Sequence, residues 1–130
     1  MSHPHLRFLL LVSGLSAILF YFSTGFHDNW LLTWLAPLPV CLYALQARAG
    51  EAALAACLAY VLGALNQFGY LPPLLFAGTT ALSAAAFILS VLLFRALARS
   101  IRRPFAPFVF AAAWTAYEYV RSLISSFGTF

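Results

Sequence analysis

From Ala52 to Phe94 the chain carries no Asp, Glu, Lys or Arg. A helix crosses the hydrocarbon core of a bilayer with about 20 mostly apolar residues, so this charge-free stretch has room for two crossings. The rest of the chain is built the same way. Of its 130 residues, 64% are hydrophobic and 8% charged, against about 45–50% and about 25% in soluble domains. A chain of this size hides only about two thirds of its surface on folding. What remained would be greasy, which excludes an ordinary water-soluble globule. Disorder is excluded too, because it needs low hydrophobicity and high charge. The length allows a single domain. The expected fold is therefore all-α: a polytopic transmembrane helix bundle forming one membrane domain over residues 1–130.

Polar breaks divide the chain into about five spans, near 8–26, 30–45, 52–66, 74–97 and 108–127. The first is uncharged and follows His3, His5 and Arg7. Tyr21–Phe26 offers no clear small-x-small cleavage site and more apolar runs follow, so the first run is read as a retained span and not a signal peptide. His27-Asp28-Asn29 is a short polar link in which Asp28 or Asn29 is placed to cap the next helix. Trp30 and Trp34 in that helix's first turns suit the bilayer interface. Pro37 and Pro39 kink the second span, because proline lacks a backbone donor; it either crosses bent or re-enters. Asn66-Gln67-Phe68-Gly69-Tyr70-Leu71-Pro72-Pro73 combines amides, glycine and Pro-Pro, and reads as a turn. Pro104 and Pro107 precede the fifth span.

The basic residues set the orientation. All seven are Arg; the chain has no Lys. Arg7 precedes the first span, Arg48 lies between the second and third, and Arg95, Arg99, Arg102 and Arg103 end the fourth span and lead to the fifth. Alternate links are basic, and cytoplasmic loops are enriched in Lys and Arg. Five crossings with a cytoplasmic N-terminus and an external C-terminus follow. This placement at the ends of apolar runs also argues against nucleic acid as a partner, despite the net charge of +4.

Helices in lipid associate through close packing of small residues. Ala55, Ala59 and Gly63 recur every four residues, with Ala52 and Ala56 alongside. Ala81 and Ala85, with Ser83, Ala86 and Ser90, give the fourth span a comparable surface. These stripes predict an antiparallel hairpin of spans three and four. Cys41 and Cys57 read as buried small hydrophobes, without a CxxC partner or metal-ligand spacing. His27-Asp28 is a weak site signal, Asn66 and Gln67 read as a helix end, and His3 and His5 as tail residues. No phosphate loop, GxSxG elbow or HExxH is present, and no metal or cofactor is expected. Glu118 and Arg121 are three apart, hence on one helix face, inside the fifth span. Ionisable residues in a span suggest function, though a structural ion pair or a snorkelling Arg also fits. Trp114 lies one turn before Glu118 on that face, so Trp114, Glu118 and Arg121 are the candidate groove residues.

The stretch Phe110-Ala111-Ala112-Ala113-Trp114-Thr115-Ala116-Tyr117-Glu118-Tyr119-Val120-Arg121 resembles a helix of the apolipoprotein N-acyltransferases through its Trp-x-x-x-Glu-x-x-Arg spacing. The span order is also similar, from about Leu6 to Phe130. Ser122 departs from the family's glycine, and Phe127-Gly128-Thr129-Phe130 only approximates its glycine-phenylalanine-proline-tryptophan turn. The resemblance implies a bacterial inner-membrane bundle that holds phospholipid and lipoprotein. In the family, a nitrilase-like domain with a glutamate-lysine-cysteine set moves an acyl chain from phospholipid, through a cysteine thioester, to a lipoprotein amine. With no Lys, these residues cannot assemble that set, and both cysteines fall within spans. The expectation is thus the membrane domain without the catalysis: lipid binding or membrane placement, with phospholipid, and a lipoprotein or a separate nitrilase-like chain, as partners. The alternative is a small polytopic lipid-binding scaffold or carrier unrelated to acylation.

Overall fold

The computed structural model describes residues 3–23, 29–100 and 103–124. The described residues are almost all helical and form no strand. In chain order the helices are α1 (His3–Ser23), α2 (Trp30–Leu35), α3 (Leu38–Gln46), α4 (Ala49–Gly63), α5 (Pro73–Arg99) and α6 (Ala106–Ile124), with short 3-10 turns at Ala64–Gln67 and Arg103–Phe105. Three stretches are long and apolar enough to cross a membrane: His5–Ser23, Ala49–Gln67 and Pro73–Arg99. α5, with 27 residues, extends about 40 Å at 1.5 Å per residue.

Local chemistry explains the boundaries. His3 and His5 belong to the first turns of α1 and not to a tail. The second predicted span is two helices, not one: α2 stops at Leu35 and α3 starts at Leu38, behind Pro37. Proline at 37 and 39 removes the donors that would have joined them. The N–H of Leu31 donates to Asn29 Oδ1 at 3.3 Å, so Asn29 caps α2; Asp28 lies outside the described residues. Glu51 reaches back to accept the Arg48 backbone N–H at 3.0 Å, closing the first turn of α4. A carboxylate there also complements the helix dipole. Between α4 and α5 the turn runs through Gly69 at φ +99°, a conformation that glycine adopts without steric cost. Pro73 then opens α5.

Core and surface invert the soluble pattern. The buried set is dominated by small residues: Ala52, Ala55, Ala56 and Ala59 of α4 are fully buried, beside Leu9, Val40, Ala44, Phe87 and Val91. Large side chains point outward, with Leu74 86% and Leu11 70% exposed. This is the arrangement expected where the surroundings are as apolar as the side chains.

α4 and α5 do pack together, as the stripes predict, but α4 packs most closely on α1. A Cβ on Gly63 would collide with Phe20 Cβ and lie 3.2 Å from the Ala17 carbonyl oxygen. The stripe therefore seats α1. On α5, Ala81 and Ala85 are exposed, while Thr80, Ser83, Ala84, Phe87, Ser90, Val91 and Phe94 face inward. That set follows helical i, i+3, i+4 spacing, and in it the large Phe87 outweighs the alanines. α1 contributes a serine face: Ser13, Ser16 and Ser23 are buried, with Ser16 Oγ donating to the Ala36 carbonyl oxygen where α2 ends.

Candidate functional site

The element order alternates direction, so the bundle has two ends. One carries the start of α1, the end of α3, the start of α4 and the end of α5. Here Arg95 Nε and Nη2 each donate to the Ala47 carbonyl oxygen at 3.1 Å. Arg99 Nη2 donates to Ala47 O at 3.0 Å and Leu45 O at 3.1 Å. The last carbonyls of a helix lack partners within it, and cations favour that end. The two arginines thus fasten the end of α3 to α5. Both lie in the last turns of α5 and not in the link that follows it, and they act there as structural fasteners, a role their spacing alone does not reveal.

Toward the other end the helices part. α6 packs along α5 and touches α4 through Trp114 on Tyr60, with ring centroids 5.9 Å apart. It does not pack closely on α2 or α3. The space left between α6 and the broken α2–α3 pair is a cavity of about 800 Å³, within the usual range of ligand pockets, about 300–1,000 Å³. Its walls are mostly apolar: Pro37, Leu38, Cys41 and Leu42 on one side, Phe110, Ala111 and Trp114 on the other, with Phe94 between.

All three sequence candidates line this cavity. Trp114 belongs to an aromatic cluster joining four helices. Phe87 lies 5.2 Å from Phe20, 5.7 Å from Trp114 and 6.0 Å from Phe110, and Tyr60 lies 5.5 Å from Phe20. Offset and edge-to-face pairs at such distances are favourable. Next along α6, the Tyr117 hydroxyl meets Ser83 Oγ at 2.5 Å, tying α6 to α5 by polar groups. One turn further, Arg121 Nη1 stands 3.8 Å from Glu118 Oε2. This is an ion pair, but too long for a hydrogen bond. The Arg121 side chain is 17% exposed and that of Glu118 31%. Ser23, Gln67 and Thr79 line the same end of the cavity, so its polar groups gather at one end and its apolar walls continue toward the middle of the bundle.

The remaining sequence candidates fall elsewhere. His5 is exposed, and His27 and Asp28 lie outside the described residues. Asn66 sits in the 3-10 turn after α4, where its Nδ2 donates to the Tyr21 carbonyl oxygen at 2.9 Å. Cys41, buried, and Cys57, partly buried, are free thiols. Among the described residues no three or more His, Cys, Asp or Glu side chains converge as a metal site would require. Residues the sequence did not mark as site residues include Tyr60, Phe94 and the Pro37–Leu42 wall. Tyr60 carried a signal, as a lone aromatic within an alanine-rich run. Comparison with family models, with curated proteins and with solved structures found no match to this chain.

Proposed function

We propose that this chain is a multi-pass protein of a bacterial inner membrane whose helix bundle holds a phospholipid in the cavity between α6 and α2–α3. It spans the bilayer five times, with its N-terminus in the cytoplasm. The single observation that carries this reading is the cavity itself: mostly apolar walls with an ion pair and hydroxyls gathered at one end, the polarity of an amphiphile. The excess of arginine at one end and the net-neutral pair toward the other support the orientation. On the resemblance to apolipoprotein N-acyltransferases, the bundle serves membrane placement and lipid binding, and its further partners are a lipoprotein or a separate nitrilase-like catalytic chain. These residues alone carry out no acyl transfer, because they contain no Lys to complete a glutamate-lysine-cysteine set. A lipid-binding scaffold unrelated to acylation would use the same cavity. Acyl transfer to a diacylated peptide, assayed with this chain alone, is expected to be nil, and measured transfer would overturn the non-catalytic reading.

Location is tested with a phospholipid bearing a photoactivatable acyl chain, incorporated into membranes that contain the protein. Labelling is expected on Leu42, Phe110 and Trp114 above the level on outward-facing Leu11 and Leu82. Equal labelling of both sets would mean that the lipid merely surrounds the bundle.

A further inference from the structure

Arg121 is mostly buried on the cavity wall, yet among the described residues it makes no hydrogen bond. The nearest carboxylate among those residues, Glu118, is 3.8 Å away and approaches Nη1 alone. A guanidinium offers five N–H donors in a fixed fork, and in a membrane an unmet donor is costly. By contrast, Arg95 and Arg99 at the opposite end each donate to backbone carbonyls. Thr79, across the cavity's polar end, spends its hydroxyl on its own helix, donating to Leu75 O at 2.8 Å. No described residue completes Arg121, so the rest of its fork is open to a ligand in the cavity.

We infer that Arg121 is the head-group anchor of the cavity, receiving the oxyanion of an acyl-chain amphiphile on the guanidinium edge that Glu118 leaves open. The inference rests on the lipid-binding reading above and adds the chemical class of the head group and the direction of the ligand. The head lies at the Glu118–Arg121 end, and the chain follows the apolar wall past Trp114 and Phe110 toward Phe94. A planar fork suits the paired oxygens of a phosphate or a carboxylate, and the apolar walls take the chain. Glu118, three residues before Arg121, is a positioning residue that holds the guanidinium against the wall.

The test uses the full chain in neutral detergent, with ligands that share acyl chains and differ in head group: phosphatidate, oleate, uncharged diacylglycerol, and inorganic phosphate without a chain. Phosphatidate or oleate is expected to bind the wild type, with phosphate alone failing to bind. Arg121→Gln is expected to weaken the oxyanion amphiphile at least tenfold, as the loss of a charge-assisted hydrogen bond implies, while leaving diacylglycerol binding unchanged. Arg121→Lys keeps the charge but loses the fork, and should fall between. The inference is overturned if Arg121→Gln weakens diacylglycerol as much as phosphatidate, which would make Arg121 a brace of the bundle. It is equally overturned if phosphatidate binds the wild type and the Gln variant alike, in which case lipid binding itself stands. Binding of none of the four would remove the lipid reading together with the anchor. Phosphatidate preferred over oleate identifies the source as a phospholipid head, and the reverse a free fatty acid; both support the anchor. Thermal midpoints of the variants, measured without ligand, separate lost binding from lost folding.

Discussion

Two residues bear most directly on the packing of the bundle, Gly63 by lacking a side chain and Phe87 by the size of its own. Gly63 lets α1 approach α4, since any Cβ there would meet Phe20 and the Ala17 carbonyl. Gly63→Ala forces backbone or Phe20 to move, and overpacking of this kind costs about 1–3 kcal/mol. The variant is expected to melt at a lower temperature in detergent, and an unchanged midpoint would show that α1 does not seat there. Phe87 is 1% exposed and touches rings from α1, α4 and α6. Phe87→Ala is expected to cost about 3–5 kcal/mol, as buried Phe-to-Ala changes do. Leu82→Ala, on the outward face of the same helix, is expected to cost far less. Equal losses in unfolding titrations would contradict the assignment of faces. Gly63 is marked in the sequence only as part of a small-residue stripe, and Phe87 is not marked at all. A glycine in an alanine stripe predicts close approach without saying to which helix, and a phenylalanine among thirteen carries no mark of its partners.

At the scale of elements, composition revealed most. Charge-free runs, polar links and prolines locate α1, α4 and α5 and the break between α2 and α3, because each rests on local physics: solvation of charges, missing amide donors, glycine at positive φ. Partner choice does not. Ala81 and Ala85 look like an interface and are exposed, while the inward face of α5 is set by where Phe87 fits. The arginines at 95 and 99 are legible as the basic end of an apolar run but not as fasteners for α3, since their acceptors lie far away in sequence. Their role is testable. Replacing both with Gln removes four hydrogen bonds to Leu45 and Ala47. Backbone amides of α3 are then expected to exchange with solvent deuterium faster, while those of α1 hold. Uniform acceleration across all helices, or no change in α3, would show that these contacts do not hold α3 in place.

For the molecule as a whole, the site was legible to a limited extent. The spacing of Trp114, Glu118 and Arg121 put them on one face, and all three line the cavity. The opposite wall comes from α2 and α3, and no pattern in the sequence joins Leu38 or Cys41 to α6. The proposed topology rests on the excess of arginine in alternate links. A reporter fused after Phe130 is expected to be active only outside the cytoplasm, and cytoplasmic activity would mean an even number of crossings, with α2–α3 re-entrant.

The cavity's occupancy is the most direct test of all. Ala111 lies on its α6 wall and is exposed, so Ala111→Trp fills space without burying a new group in the core. Native mass spectrometry of the wild type, extracted gently from membranes, is expected to show one phospholipid retained per chain, and the Trp variant to lose it while keeping its thermal midpoint. A wild type that carries no lipid, or a variant that retains lipid equally well, would contradict a lipid-holding bundle.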